Sequence, residues 1–146
     1  MFYDLAHFQN THDRLQSLIK QLESLIRGGT LKSGPKAKTA HELWCELGLE
    51  IQRHLNGEDH ALYPSLLICD DPQVQSLAWV FINDECPLRQ HFSHFQNKWL
   101  LDCDLDYSKD FTRESQEIIR MIARRLKREK RKLFPILREI NPPKAA

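Results

Sequence analysis

Two stretches of the chain decide its fold: HLNGEDHALYPSL, residues 54–66, and RLKREKRKLFPIL, residues 125–137. They align without a gap. Leu55 meets Leu126, Glu58 meets Glu129, Leu62 meets Leu133, Pro64 meets Pro135 and Leu66 meets Leu137, with Tyr63 opposite Phe134. In both, leucines recur at helical steps and a carboxylate falls on the same apolar stripe. Two helices that end alike predict a bundle with internal two-fold pseudo-symmetry, in which these ends face each other.

Four segments carry such stripes, near residues 4–27, 37–67, 72–101 and 109–139. The first offers His12, Leu15, Ile19, Leu22 and Ile26; the third offers Val74, Leu77, Ala78, Phe81, Leu88, Phe92, Phe95 and Trp99. Stripes of this width belong to helices that bury one face. The breaks between them are marked by Gly28, Gly29, Gly34 and Pro35, by Asp70-Asp71-Pro72, and by the acidic stretch at residues 102–110. Asp71 caps a helix whose first residue is Pro72. Pro87 should kink or break the third helix. The reading is an all-α, antiparallel up-down-up-down four-helix bundle, one domain over residues 1–146.

Composition agrees. With 146 residues, 41% apolar and 28% charged, the chain suits one globular domain rather than a disordered one. A net charge of +1 gives no global reason to expect nucleic acid or an anionic membrane. The sum hides an uneven layout. Residues 111–140 hold ten basic and four acidic groups, and residues 120–132 alone hold eight Lys or Arg. That basic run is either a solvated helix face or a docking surface for an acidic protein or for phosphates. No apolar stretch approaches the about 20 residues of a spanning helix. The opening MFYDLAHFQN lacks the pattern of an export signal, so a cytoplasmic protein is expected, with Cys45, Cys69, Cys86 and Cys103 reduced and mostly buried.

The informative residues are polar ones on apolar stripes. His12 lies on the first stripe. His54 and Glu58, four apart, share one face of the second helix, and Glu129 lies on the stripe of the fourth. Neutral imidazole and ionised carboxylate are ligands for iron, manganese or zinc.

With an early His, an HxxxE followed by Leu62-Tyr63-Pro64, and a matching Glu129 with Leu133-Phe134-Pro135, the chain resembles the hemerythrin-like (HHE) cation-binding domain. That resemblance implies a four-helix bundle enclosing non-haem iron, as a pair in many members, with roles in oxygen, iron or redox response. It also implies where the sequence departs. The family places a His four residues before Glu129; here that residue is Arg125, and a guanidinium has no lone pair to give a metal. The third helix, expected to supply His, carries His91 and His94 as HxxH. Five candidate ligands follow: His12, His54, Glu58, Glu129 and His91. Arg125 and Tyr63 would stand behind them.

Two functions remain open. One is a non-enzymatic cation-binding protein with a mononuclear or dinuclear non-haem iron site and dioxygen as a further ligand. The other is a metal-free interaction or regulatory module, in which Arg125 supplies the charge that iron would supply and the basic helix 120–132 meets a protein partner. HELWC is not HExxH, and no nucleophile or activated base is apparent.

Overall fold

The computed structural model describes residues 5–27, 35–101 and 109–140. Helix α1 is Leu5–Arg27. Helix α2 covers residues 35–67 as an α-helix Pro35–Gly57, a π-helical segment Glu58–Leu62 and a last turn Tyr63–Leu67. Helix α3 is Pro72–Phe95, prolonged by a π segment Gln96–Leu100. Helix α4 covers residues 109–140 as Lys109–Arg128, a π segment Glu129–Leu133 and Phe134–Ile140. Among the described residues there is no strand.

The four stripes fold against one another as expected. α1 packs on α2 and α4, and α3 packs on α4 and on the end of α2's neighbouring face. His12, early in α1, meets Leu126, late in α4, and Phe81, early in α3, meets Arg125 of α4. Thr11, early in α1, likewise meets His54, late in α2, so α1 runs antiparallel to α2, and α1 and α3 both run antiparallel to α4. Asp71 caps α3 as expected, its carboxylate accepting from the Gln73 amide at 2.9 Å. Pro87 does not break α3. It lies on the exposed side, and so does Asn83, the residue whose carbonyl it fails to bond, so the defect falls toward solvent and not in the core.

Pro64 and Pro135 act differently. Each comes one residue after the aromatic that closes a π segment, where Tyr63 N–H bonds to Glu58 O and Phe134 N–H to Glu129 O. A proline lacks the amide an α-turn needs and its ring crowds the carbonyl four residues back. The wider i→i+5 turn relieves that crowding. It also brings residues five apart onto one side of the helix, which an α-helix does not do. The repeated aromatic-Pro signature thus yields the same backbone distortion twice.

The core divides in two. One cluster gathers Leu15, Leu22, Trp44, Leu47, Phe95, Phe111 and Ile122; the other gathers Phe8, Leu62, Leu66, Phe81, Leu133 and Phe134. Between them sits a connected set of buried polar groups: His12 on α1, His54 and Glu58 on α2, and Arg125 and Glu129 on α4, with the Phe81 carbonyl of α3 against Arg125. This layer is the site.

The cysteines correct one expectation. Cys45, Cys69 and Cys86 are free, but Cys45 and Cys86 are exposed and Cys69 is half-buried; they lie off the stripes, where no core pulls them in. Cys103 is outside the described residues.

Candidate metal centre

The layer is built around two carboxylates with no exposure at all, Glu58 and Glu129. A buried carboxylate must find positive charge or donors. Arg125 bridges both. Its Nη2 lies 2.5 Å from Glu58 Oε2 and its Nε donates to Glu129 Oε1 at 3.1 Å. Its Nη1 donates to the Phe81 carbonyl at 3.2 Å, and the guanidinium rests against the Phe81 ring. Tyr63, brought round by the π turn, donates its hydroxyl to Glu58 Oε2 at 2.5 Å and also touches Arg125.

Arg125 takes one oxygen of each carboxylate. The other two, Glu58 Oε1 and Glu129 Oε2, face His54. The imidazole Nε2 is 2.7 Å from the first and 2.9 Å from the second. One N–H cannot be aimed at both. It is aligned on Glu129, which leaves Glu58 Oε1 buried with no hydrogen-bond partner. On its far side, His54 Nδ1 lies 3.4 Å from Thr11 Oγ1, whose own proton goes to the Phe8 carbonyl. The hydroxyl oxygen therefore accepts from Nδ1–H, and Nε2 is the nitrogen left to face the carboxylates. Phe8 stacks on the His54 ring at 4.8 Å and fixes its plane.

The charges interact strongly. Burial alone would lower the His54 pKa, but Glu129 and Glu58 raise it from 6.5 to about 10. Burial would raise Glu58, but His54 and Arg125 hold it well below the ordinary carboxylate range. Glu129 is pushed up by burial and by the charge of Glu58. His12 is pushed down to about 4, chiefly by burial, so its ring is neutral. Its Nε2 lies 2.8 Å from the Leu126 carbonyl, which can only accept, so Nε2 carries the proton. Glu129 Oε2 is further off, at 3.5 Å.

These shifts fix the pH response of the metal-free protein. A histidine raised in the folded state gives stability that is complete below 6.5 and is lost as pH climbs towards 10. The raised Glu129 acts in the same direction. Urea unfolding should show stability falling from pH 6.5 to 9.5, by about 1.4 kcal/mol per pH unit for each proton released. Cation affinity should rise over the same interval, because His54 must lose its proton to ligate. A flat profile would refute this assignment of charges.

The expected ligands are thus brought together in part. Ligand atoms of His54, Glu58 and Glu129 all lie within 4.8 Å of one another. His12 adjoins them but spends its Nε2 on Leu126. His91 does not reach the layer: it is exposed on α3, one position from the buried Phe92. α3 reaches the layer through the Phe81 carbonyl, which accepts from Arg125; its buried acid, Glu85, pairs with Arg89 at 2.6 Å and was not singled out from the sequence. The signal was present, since residue 85 completes the stripe Ala78, Phe81, Leu88, Phe92.

The donor set fits one cation. Two inner carboxylate oxygens and one imidazole nitrogen converge, one oxygen is unsatisfied, and Arg125, Tyr63 and Thr11 hold the ligands from behind. It does not fit two, because the guanidinium stands where a second cation would need a ligand. An antiparallel helical bundle with a buried layer of imidazole and carboxylate defines a class, the bundle proteins whose interior is chemically suited to a cation. Within that class the family is specific: the chain belongs to the hemerythrin HHE cation-binding domain family, whose model matches residues 4–137. Neither curated proteins nor solved structures gave a match.

Beyond the layer, α4 presents Arg124, Lys127, Lys130, Arg131 and Lys132 to solvent; none of them makes an ion pair among the described residues, whereas Arg128 pairs with Asp84 of α3. Among the described residues no helix is long and apolar enough to cross a membrane.

Proposed function

We propose that the chain binds a single non-haem iron ion in the bundle interior and serves, without catalysis of its own, in oxygen, iron or redox response. His54 Nε2, Glu58 Oε1 and Glu129 Oε2 would hold the ion, and His12 would join them by leaving the Leu126 carbonyl. The observation that carries the reading is Glu58 Oε1, wholly buried 2.7 Å from His54 Nε2 while that nitrogen's N–H is aligned on Glu129 instead. A native core rarely tolerates such an atom without a use for it. Bound iron would supply a Lewis-acidic, redox-active centre. The protein's part is to present two anionic oxygens and one nitrogen, to offset one negative charge with Arg125, and to exclude water with Phe8 and Phe134.

Protein expressed in iron-supplemented medium should carry about one iron per chain by elemental analysis, with a visible absorption band, in line with one three- or four-donor site. His54→Ala and Glu58→Ala should both abolish it. A second reading, a metal-free regulatory module meeting an acidic partner through α4, draws on the same network: Arg125 and protonated His54 already balance Glu58 and Glu129. The same experiment separates the two. A folded chain that takes up no iron, and whose stability chelator leaves unchanged, decides for the second.

A further inference from the structure

We propose that the cleft between α1 and α2 is the route by which a divalent cation reaches His54, and that Glu50 is the carboxylate that first receives it. The inference rests on the cation-binding reading above. The cleft holds about 500 Å³, and its lining includes Thr11 and Arg14 of α1 and Glu50, Arg53, His54 and Gly57 of α2. It therefore runs from solvent to a member of the buried layer. Glu50, His54 and Glu58 stand at four-residue steps, so they form one row down the inner face of α2, about 6 Å of helix rise apart. The row joins the cleft to the unsatisfied oxygen.

Glu50 is placed for exchange. Its side chain is only 6% exposed, yet both its ion partners reach it from solvent: Arg14 Nε at 3.1 Å and Arg53 Nη1 at 3.2 Å, on the same oxygen. These arginines are 60% and 70% exposed, so solvent lies on their outer side. A hard cation prefers carboxylate oxygen, and its arrival replaces one positive partner of Glu50 by another. The local charge stays matched while the arginines leave. At the inner end, Gly57 has no side chain to narrow the cleft beside His54, and Thr11 sets the tilt of the imidazole.

The test is the rate of Co²⁺ uptake by the purified metal-free chain, followed by cobalt absorption in a stopped-flow instrument, with affinity measured separately at equilibrium. Glu50→Gln keeps shape and loses charge; Gly57→Leu keeps charge and fills the cleft. Glu50→Gln should slow uptake by about tenfold, the lower end of the field effect on an association rate, because Arg14 and Arg53 then leave the cleft wholly cationic; Gly57→Leu should slow it by closing the passage. Equilibrium affinity should not change. Arg14→Ala with Arg53→Ala should speed uptake. Should Gly57→Leu fail to fold, Glu50→Gln, which is isosteric, decides alone. Unchanged rates overturn the route, and so does an affinity loss as large as the rate loss, which would make Glu50 a ligand or a structural residue. Wild-type chain that takes up no cobalt overturns the cation site itself, an outcome visible before any variant is compared.

Discussion

Arg125→Ala should destabilise the metal-free protein by about 3–5 kcal/mol at neutral pH, the usual result of stripping the partner from buried charge. The guanidinium contacts both carboxylates, on the oxygens His54 does not face, and Glu58 and Glu129 are wholly buried. Without it, His54 alone must offset two acids, and Glu58 must take up a proton it now refuses. For a chain of this size the loss corresponds to a fall of about 10 °C or more in Tm. Thermal unfolding in chelator reads it directly. Glu58→Gln in the same background should recover part of the loss, since it removes the stranded charge and keeps the shape. A cost below about 1 kcal/mol, the range of an exposed pair, would show that Arg125 is not the counter-ion of the layer. Added divalent cation should also stabilise the alanine variant more than the wild type.

Arg125→His should raise the number of cations bound per chain from one towards two. The position follows from the sequence echo: residue 125 stands to Glu129 as His54 stands to Glu58, four residues ahead on the same face. An imidazole there offers a nitrogen where the guanidinium offers only donors. It also releases Glu58 Oε2 and Glu129 Oε1, the two oxygens Arg125 now occupies. Elemental analysis of protein loaded with iron or manganese, alongside wild type, reads the stoichiometry. An unchanged count would mean that the backbone at position 125 does not present a ligand, whatever its side chain.

Most of the architecture was legible because burial imposes its period on the sequence. The four stripes, the capping Asp71 and the placement of His54, Glu58 and Glu129 all follow from helix geometry and apolar spacing alone. What escaped has physical reasons. Pro87 looked like a break, but its missing bond falls on the solvent side, where it costs little. His91 looked like a ligand because of its residue type; one helical position, about 100°, carries it out of the core. Glu85 was overlooked because a lone acid on an apolar stripe draws less notice than a histidine, though its spacing was plain. The role of His12 was hidden as well, since a backbone carbonyl as its partner leaves no trace in residue types. The π segments were encoded in the aromatic-Pro pair, but α-helical counting cannot show that Tyr63 turns back onto Glu58.

Those two π segments make the bundle a frame with paired sockets. The backbone is distorted in the same way at Glu58–Leu62 and at Glu129–Leu133. Each half thereby sets out the same fittings: a position for a base or a cation, a carboxylate four residues on, and an aromatic ring behind it. The halves differ only in side chains, and the side chains divide the labour. The half with His54 and Tyr63 offers an open coordination edge. The half with Arg125 and Phe134 arrives already filled by a charge the chain carries itself. An ion held as proposed would draw His54 and Glu58 from one half and Glu129 from the other, while Arg125 already balances the acids of the metal-free chain.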